Sequence, residues 1–348
     1  INGQFTARRL TGQERFAVEL VTEIDKICQK GDYELVVPKN AKFVPKLNNI
    51  SVVRYGKAKG SLWEQLYFAY YVIVKGRKSL NLCSIQPIFK PGIICIHDLA
   101  FKTNKQTSFW NLTFYKKVSK VWHILQYHIA KHFSPLVLTV SEYSKNEMVK
   151  VYHYNPSKVL VIGNGWEHFK RIAFDEQLKI KHPEYFERPY FFSLASLTPN
   201  KNFKWVLKVA QKHPQYQFLI GGNANIRAYG TDFQDDSIKN VKFLGYISDG
   251  EVKTLMKYCK AFIFPSFFEG FGIPPLEALS VGASIIISNT TCLPEIFGKT
   301  AHYIDPYNAD VDLDEILSEP TVSPQKVLEK YTFARFAKIL HQKLCSKN

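Results

Sequence analysis

Along the chain, short apolar runs alternate with stretches whose apolar residues recur every three or four positions. Strands covered on both faces read as continuous apolar runs, and the helices that cover them read with the longer period. The alternation therefore predicts an α/β architecture with parallel sheets. After Thr11-Gly12, residues Phe16, Leu20, Ile24 and Ile27 keep helical spacing. Gly92–Ile96 predicts a buried strand ending at His97-Asp98. Leu136–Val140 predicts another, followed by a helix opened by the box Ser144-x-x-Glu147.

The second half repeats the scheme with strand Tyr190–Leu194, helix Phe203–Lys212 and strands Gln217–Ile220 and Val241–Leu244. A helix with the box Ser248-x-x-Glu251 and the strand Ala261–Phe264 follow. The loop Pro265–Gly272 then opens a helix with Pro274 and Pro275 in its first turn, where a missing N–H costs nothing, and Ser284–Ser288 is a further strand. The polar stretch Gly165–Arg188 separates the two series. The expected division is a domain over 1–170, a second over 171–323, and a terminal segment 324–348 holding one long amphipathic helix, about Pro324 to Leu344.

A length of 348 residues suffices for two domains, and 46% hydrophobic with 22% charged residues excludes a disordered or fibrous chain. The apolar run Leu66–Val74 stops at Lys75, far short of the roughly 20 residues that span a bilayer. No stretch has the order of a secretory signal, although a start at Ile1 leaves a short preceding segment expected. The six cysteines are scattered, with no Cys-x-x-Cys pair or zinc-type Cys/His spacing, which fits thiols in a reducing cytoplasm.

Charge changes the picture more. The formal net charge is +16, and 25 basic against 11 acidic residues lie up to Lys170. That half calls for an acidic partner: anionic lipid, a phosphate-bearing substrate or nucleic acid. In Lys116–Phe133, Val118, Trp122, Leu125 and Ile129 make an apolar stripe, while Lys116, Lys120, His123 and Lys131 gather elsewhere. Two readings stand: a core-packed helix with a solvated basic face, or docking on the anionic inner leaflet of a membrane.

The segment Ser266–Glu277 carries the chemistry. Gly270 and Gly272 let backbone approach a ligand, and the helix that follows offers unbonded N–H groups with partial positive charge, which together describe a diphosphate site. Glu269 on the loop and Glu277 inside the helix, eight positions apart, are placed to reach different hydroxyl-bearing parts of one extended ligand. The plain alternative is a glycine-rich turn with two solvated glutamates. Asp310-Val-Asp312 and Asp312-Leu-Asp314 resemble metal-binding Asp-x-Asp runs but are expected to start a surface helix, and no metal is expected.

Ser266-x-x-Glu269-Gly-Phe-Gly272-x-Pro-x-x-Glu277-Ala resembles the signature of the retaining family 4 glycosyltransferases, with Glu269 and Glu277 as its glutamate pair. The resemblance continues in order along nearly the whole chain. It takes in Ile1-Asn-Gly with Thr11-Gly12-Gln-Glu-Arg15-Phe, Leu62-Trp-Glu-Gln-Leu66, Ile96-His97-Asp98-Leu99 and Val140-Ser-Glu142-Tyr-Ser144. Gly163-Asn-Gly165, Ser196-Leu-Thr-Pro-Asn-Lys201-Asn202 and Leu293-Pro-Glu295-Ile-Phe-Gly298 complete it. It implies the GT-B fold: two Rossmann-like, doubly wound parallel-sheet domains facing each other across a cleft, the first on the acceptor side and the second holding the nucleotide sugar, with the terminal helix crossing back to the first. By resemblance, Glu269 contacts the donor sugar's hydroxyls and Glu277 the ribose. The backbone of Gly270, Phe271 and Gly272 with Lys201 holds the diphosphate, Asn202 belongs to the donor-binding set, and Gly245 and Tyr246 lie where the base is met through backbone. Gly12 lets the first domain's loop close over the donor. His97 faces the sugar, with Asp98 and Glu142 on the acceptor side. Many relatives have Arg where Asn200 stands, and Arg15 is a neighbour that would supply the missing cation. Lys299 replaces a common acidic residue.

The activity implied is retaining, metal-independent transfer of a hexose from dTDP-rhamnose, GDP-mannose or a UDP-sugar to a lipid-linked saccharide, in assembly of a bacterial surface polysaccharide such as capsule. No cofactor is implied, and the place is the cytoplasm or the inner face of its membrane. A covalent intermediate and front-face departure both remain open, and a cap role for Ser144 is the simpler account of that residue. Two other kinds of protein fit parts of the pattern. A nucleotide-sugar epimerase or hydrolase of similar shape would share the phosphate site without an acceptor. A nucleic-acid binder would explain the charge, but no nucleic-acid module is present and the loop would be left unexplained.

Overall fold

The computed structural model describes residues 1–10, 12–99, 114–194, 199–222 and 238–346. Thr11 and Ser196–Thr198, parts of two motifs named above, lie outside them. The chain forms two compact units: Ile1–Gly165 with Tyr331–Asn348, and Trp166–Lys330.

In the first unit, β1 (Glu34–Val37) pairs with β2 (Ser51–Arg54), and β3 (Leu80–Asn81), β4 (Ile93–Cys95), β5 (Val137–Thr139) and β6 (Val159–Val161) pair in that order. Every pair is parallel. Asn2 bridges to Val36, and its N–H donates to Leu80 O at 2.9 Å, so the first three residues run between β1 and β3. Helix Gly12–Ile27 covers this sheet with Phe16, Leu20 and Ile24 fully buried, while Ile27 stays exposed. A continuous helical stretch over 60–74 has α turns at both ends and a π segment at Trp63–Phe68.

The second unit holds β7 (Tyr190–Leu194), β8 (Gln217–Gly221), β9 (Val241–Gly245), β10 (Ala261–Phe264), β11 (Ile285–Ser288) and β12 (His302–Ile304). They lie in the order β12-β11-β10-β7-β8-β9, all parallel, which is a doubly wound sheet whose order reverses between β7 and β10. Its interior is filled by Phe191, Phe218, Ile220, Ile263 and Ile286, with Trp205, Val206 and Val209 of helix Phe203–Lys212 packed on them. Truncating one of these phenylalanines to alanine costs about 3–5 kcal/mol, a large part of an ordinary domain's stability.

Two local expectations are corrected. The helix after β5 is Glu142–Tyr152, and Ser141 caps it, its Oγ accepting from Ser144 N–H at 3.1 Å, so the Ser144 box is not formed. The terminal stretch is two helices, Gln325–Lys330 and Phe333–Cys345, rather than one. Thr332 leaves the helical conformation between them and accepts from Arg335 N–H at 3.3 Å, starting the second helix anew. That second helix packs in the first unit, with the Phe333 ring 6.3 Å from Phe16 and Tyr33 Oη 2.9 Å from His341 Nδ1. The box Ser248–Glu251 is formed as expected, with both reciprocal hydrogen bonds.

Candidate active site

In an open parallel sheet, ligands bind outside the carboxyl ends of the strands where the order reverses, because the two chains leaving there diverge to opposite faces. In the second unit these are β7, which leads to the turn Pro199–Lys201, and β10, which leads to the loop Pro265–Gly272. Hydrogen bonds join the two connections. Phe267 N–H donates to Asn200 O at 2.9 Å, and Asn200 Nδ2 donates to Phe268 O at 2.5 Å. Asn200, which stands where many relatives have Arg, thus fixes the loop and brings no charge. Asn202 is held at φ 52°, and its amide donates to Pro265 O at 3.1 Å and Pro306 O at 2.8 Å. One amide contact braces the start of the loop and the other the turn that follows β12.

Lys201 Nζ lies 2.6 Å from Glu269 Oε1 and 4.6 Å over the Phe264 ring, with the two side chains 25% and 15% exposed. Each carries the charge the other needs, and both stay within reach of a ligand. Glu269 N–H donates to Thr291 Oγ1 at 3.3 Å, and the Cys292 thiol donates to Glu269 O at 3.2 Å, which fixes the backbone on which the carboxylate stands. Ser266, at the start of the loop, is buried, and its hydroxyl has no partner among the described residues.

The loop turns into helix Ile273–Ser280 at Gly272, whose φ is 98°. A Cβ there would stand 2.8 Å from Leu293 Cδ2, so conformation and packing both hold the position to glycine. Pro274 and Pro275 carry no N–H, so the donors at the end of the loop that have no carbonyl within the helix are the N–H groups of Gly272 and Ile273, where the helix's partial positive charge lies. Phe271 is buried, so its contribution to a ligand is through backbone. Glu277 lies in the second turn, and His168 Nε2 is 2.6 Å from its Oε1, with both side chains buried or nearly so. That contact holds one carboxylate oxygen, and a carboxylate has a second with which to accept from a hydroxyl. His168 was not among the residues singled out from the sequence. Its one signal is a place just after Gly163-Asn-Gly165.

At the neighbouring strand ends, Gly222 N–H donates to Gly245 O at 2.6 Å, and Gly245 has φ 67°. A Cβ on Gly221 would come within 2.4 Å of Ile247 Cδ1, so a flat glycine floor lies beside exposed Tyr246. The acidic runs are used elsewhere. Asp312 caps helix Leu313–Ser318, Asp310 pairs with Lys212 at 2.6 Å, and Asp314 pairs with Lys260 at 3.0 Å.

The remaining singled-out residues belong to the first unit. Gly12 and Arg15 lie in the first turn of helix Gly12–Ile27. His97 follows β4, its Nε2 2.9 Å from Leu82 O and its ring 4.8 Å edge-on to Phe16. Burial pushes its pKa down to about 4, so the imidazole is neutral near pH 7; with Nε2 assigned as the donor to Leu82, Nδ1 is left to accept. Asp98 is half-buried, and exposed Glu142 opens the helix Ser141 caps. Close to the first strand is a polar cluster that the sequence did not reveal. Asn2 Nδ2 donates to Glu64 Oε1 at 3.1 Å, and Arg8 lies 3.4 Å from Glu64 and 3.7 Å from Glu14. Burial raises the Glu64 pKa to about 7 despite the opposing pull of Arg8.

Known proteins resemble this chain in sequence and in fold. Residues 174–320 match the family described as Glycosyl transferases group 1. O-antigen chain mannosyltransferase B of Escherichia coli is 26% identical over 203 residues, 55% of this chain and 52% of the relative, so the chain spans about half that relative's length. Sucrose-phosphate synthase from Thermosynechococcus elongatus superposes with a TM-score of 0.75 at 13% identity, covering 99% of this chain and 98% of that one. HepE of Anabaena, in complex with UDP and glucose, gives 0.71 at 14% identity over 97% of each. At such identities the structural likeness speaks for the fold, which is GT-B.

Proposed function

With a group 1 glycosyl transferase domain over residues 174–320 of a GT-B chain, we propose that this protein transfers a hexosyl unit from a nucleoside diphosphate sugar to a lipid-linked saccharide in the assembly of a bacterial surface polysaccharide. The observation that carries the reading is the Lys201–Glu269 pair, set at the switch point of the sheet beside a glycine loop and a helix start.

In this reading Glu269 accepts from the sugar's hydroxyls, and Lys201 turns from it toward the diphosphate. As the sugar–oxygen bond breaks, negative charge grows on the diphosphate, and Lys201 with the helix N–H groups stabilises it there; no metal is needed for that step. Glu277, steadied by His168, accepts from the ribose. Neutral His97 accepts a hydrogen bond from the sugar at Nδ1. Retention of configuration is part of the proposal, on the family resemblance. Mannose is the favoured sugar because the O-antigen mannosyltransferase relative transfers it, with rhamnose next.

The test pairs binding with transfer. The chain is melted with UDP, dTDP and GDP, and one of them is expected to raise the midpoint, because a ligand bound only to the native state stabilises it. With the matching sugar donor, Glu269→Ala is expected to keep the wild-type melting midpoint and lose transfer by about a thousandfold. Normal turnover by that variant refutes the role of Glu269. Release of free or isomerised sugar without an acceptor refutes the transferase reading in favour of a hydrolase or epimerase.

A further inference from the structure

The turn between β11 and helix Leu293–Phe297 meets the loop Pro265–Gly272 through four successive residues. Thr290 Oγ1 donates to Ser266 O at 3.4 Å, Thr291 Oγ1 accepts from Glu269 N–H at 3.3 Å, and the Cys292 thiol donates to Glu269 O at 3.2 Å. The Leu293 side chain closes on Gly272, where a Cβ would stand 2.8 Å from its Cδ2. Both backbone polar groups of Glu269 are thereby held by one turn, and its carboxylate is held by Lys201 at 2.6 Å.

That turn carries an adverse residue at its tightest point. Leu293 N–H donates to Thr290 O at 3.2 Å, so Thr291 and Cys292 are the two central residues of a β-turn. Thr291 has φ 54°, and Cys292 has φ −81° and ψ −11°. A positive φ at the first central residue alone is the mark of a II′ turn, a position that favours glycine because a Cβ there crowds its own backbone. Threonine suits it worse than most residues, since its side chain branches at that same Cβ. Among the described residues three other non-glycine residues have positive φ, namely Ser84, His153 and Asn202, and none of them is β-branched.

Glycine would close the turn without strain, so the reason for threonine lies in what glycine lacks. That is the hydroxyl, and it is spent on Glu269. The same hydroxyl is hydrogen-bonded to the Cys292 side chain, whose thiol meets Glu269 O, so the three residues close a ring on the glutamate backbone. A conformation that lowers stability persists where its neighbours over-determine it, and such positions gather at functional sites.

We propose that Thr291 is the positioning residue of Glu269: its hydroxyl, carried on a strained backbone, fixes the peptide from which the carboxylate reaches the donor sugar. The proposal rests on Glu269 as the group that accepts from the sugar's hydroxyls. The gain is in orientation, since a displacement of about 1 Å can lower a rate about a hundredfold. The chain gives up stability at this turn and receives a rigid carboxylate in return.

The experiment compares Thr291→Gly, Thr291→Ser and Thr291→Ala in the full chain. It reads the melting midpoint, hydrogen exchange at the Glu269 amide, and transfer from the sugar nucleotide whose base raises the midpoint, GDP-mannose first. Thr291→Gly is expected to keep the wild-type midpoint or raise it by a few degrees, while the Glu269 amide exchanges about tenfold faster. Its kcat is expected to fall about ten- to a hundredfold with the donor KM within about threefold of wild type. Thr291→Ser keeps the hydroxyl, and is expected to exchange like wild type and to retain kcat within about threefold. Thr291→Ala keeps the Cβ without the hydroxyl; it is expected to lose kcat as the glycine variant does, and it decides the case should that variant fail to fold. The proposal is overturned by a folded glycine or alanine variant with wild-type kcat, or by a serine variant that loses as much as they do. It is also overturned by turnover that only follows a lowered midpoint. A wild type inactive with every donor refutes the sugar contact of Glu269 instead, and the exchange then decides, equal rates in wild type and the glycine variant overturning the hold by Thr291.

Discussion

In the second unit, Phe191, Phe218, Ile263 and Ile286 fill the interior, and the close pairs Lys201–Glu269 and His168–Glu277 stand beyond the strand ends. In the first, Asn2, Glu64, Asn81, Gln86 and Gln126 are buried, and Leu62, Leu66, Tyr70 and Phe89 are turned to the outside. The strands of both units pair in parallel; in the second unit the earliest strand, β7, lies inside the sheet with later strands on each side, while in the first β1 and β3 are linked through the bridge at Asn2. Both units bury polar groups, Ser193, His213, Lys253 and His302 among those of the second, where hydrogen bonds with few alternatives fix the strands. What differs is the close ion and hydrogen-bond pairs beyond the strand ends of the second and the row of exposed apolar side chains on the first.

The contrast can be broken at its sharpest point by Lys201→Met. If the edge of the second sheet works through fixed charge, transfer falls about a hundred- to a thousandfold with the melting midpoint kept, and a loss under tenfold in steady-state assays would move the phosphate contact elsewhere. A smaller effect is expected from His168→Gln, which weakens the hold on Glu277. The donor KM is expected to rise on the order of tenfold with kcat little changed. An equal loss of kcat would place His168 nearer the reacting atoms than Glu277 puts it. The smallest effect tests the first unit. Because Glu64 has its folded pKa raised to about 7, the folded chain binds a proton the unfolded chain has lost, and wild-type stability falls as pH rises from about 4.5 to 7. Glu64→Gln removes that fall. Urea midpoints of the variant relative to wild type should climb by up to a few kcal/mol equivalent between pH 5 and 8, and a pH-independent difference would show that Arg8 keeps Glu64 ionised throughout.

Five strands of the second sheet were legible to within about a residue, since a strand covered on both faces must be apolar at each position and Tyr190–Leu194 or Ala261–Phe264 allows little else; β12 (His302–Ile304), short and opened by a histidine, was not. Glu269 and Lys201 were legible from the order of motifs. Their contact was not, because it follows from β7 lying beside β10, an adjacency made by crossovers that no local period encodes. His168 was hidden for the same reason, since it meets Glu277 across 109 positions of chain. Glu64 was hidden differently. It sits among Leu62, Trp63 and Leu66, and only the fold tells which of these side chains turn inward. Ser141 and Ser144 are both sound caps by residue type, and the choice between them was made by where β5 ends.

The helix Phe333–Cys345 has one consequence for how the molecule comes into being. Phe333, Phe336, Ala337 and Leu340 are interior residues of the first unit, yet they are the last of its core to be synthesised. The Phe336 and Tyr331 rings also close over Gly163, where a Cβ would stand 2.7 Å from Phe336 Cζ. On the ribosome the stretch Trp166–Lys330 is therefore free to fold as soon as it emerges, while the part made first waits, its apolar surface unfinished, until the final turns arrive. The N-terminal half is thus the late-maturing half, and it is also the half with grease on its exterior. A nascent chain of this design has most need of a chaperone in the interval before helix Phe333–Cys345 has emerged.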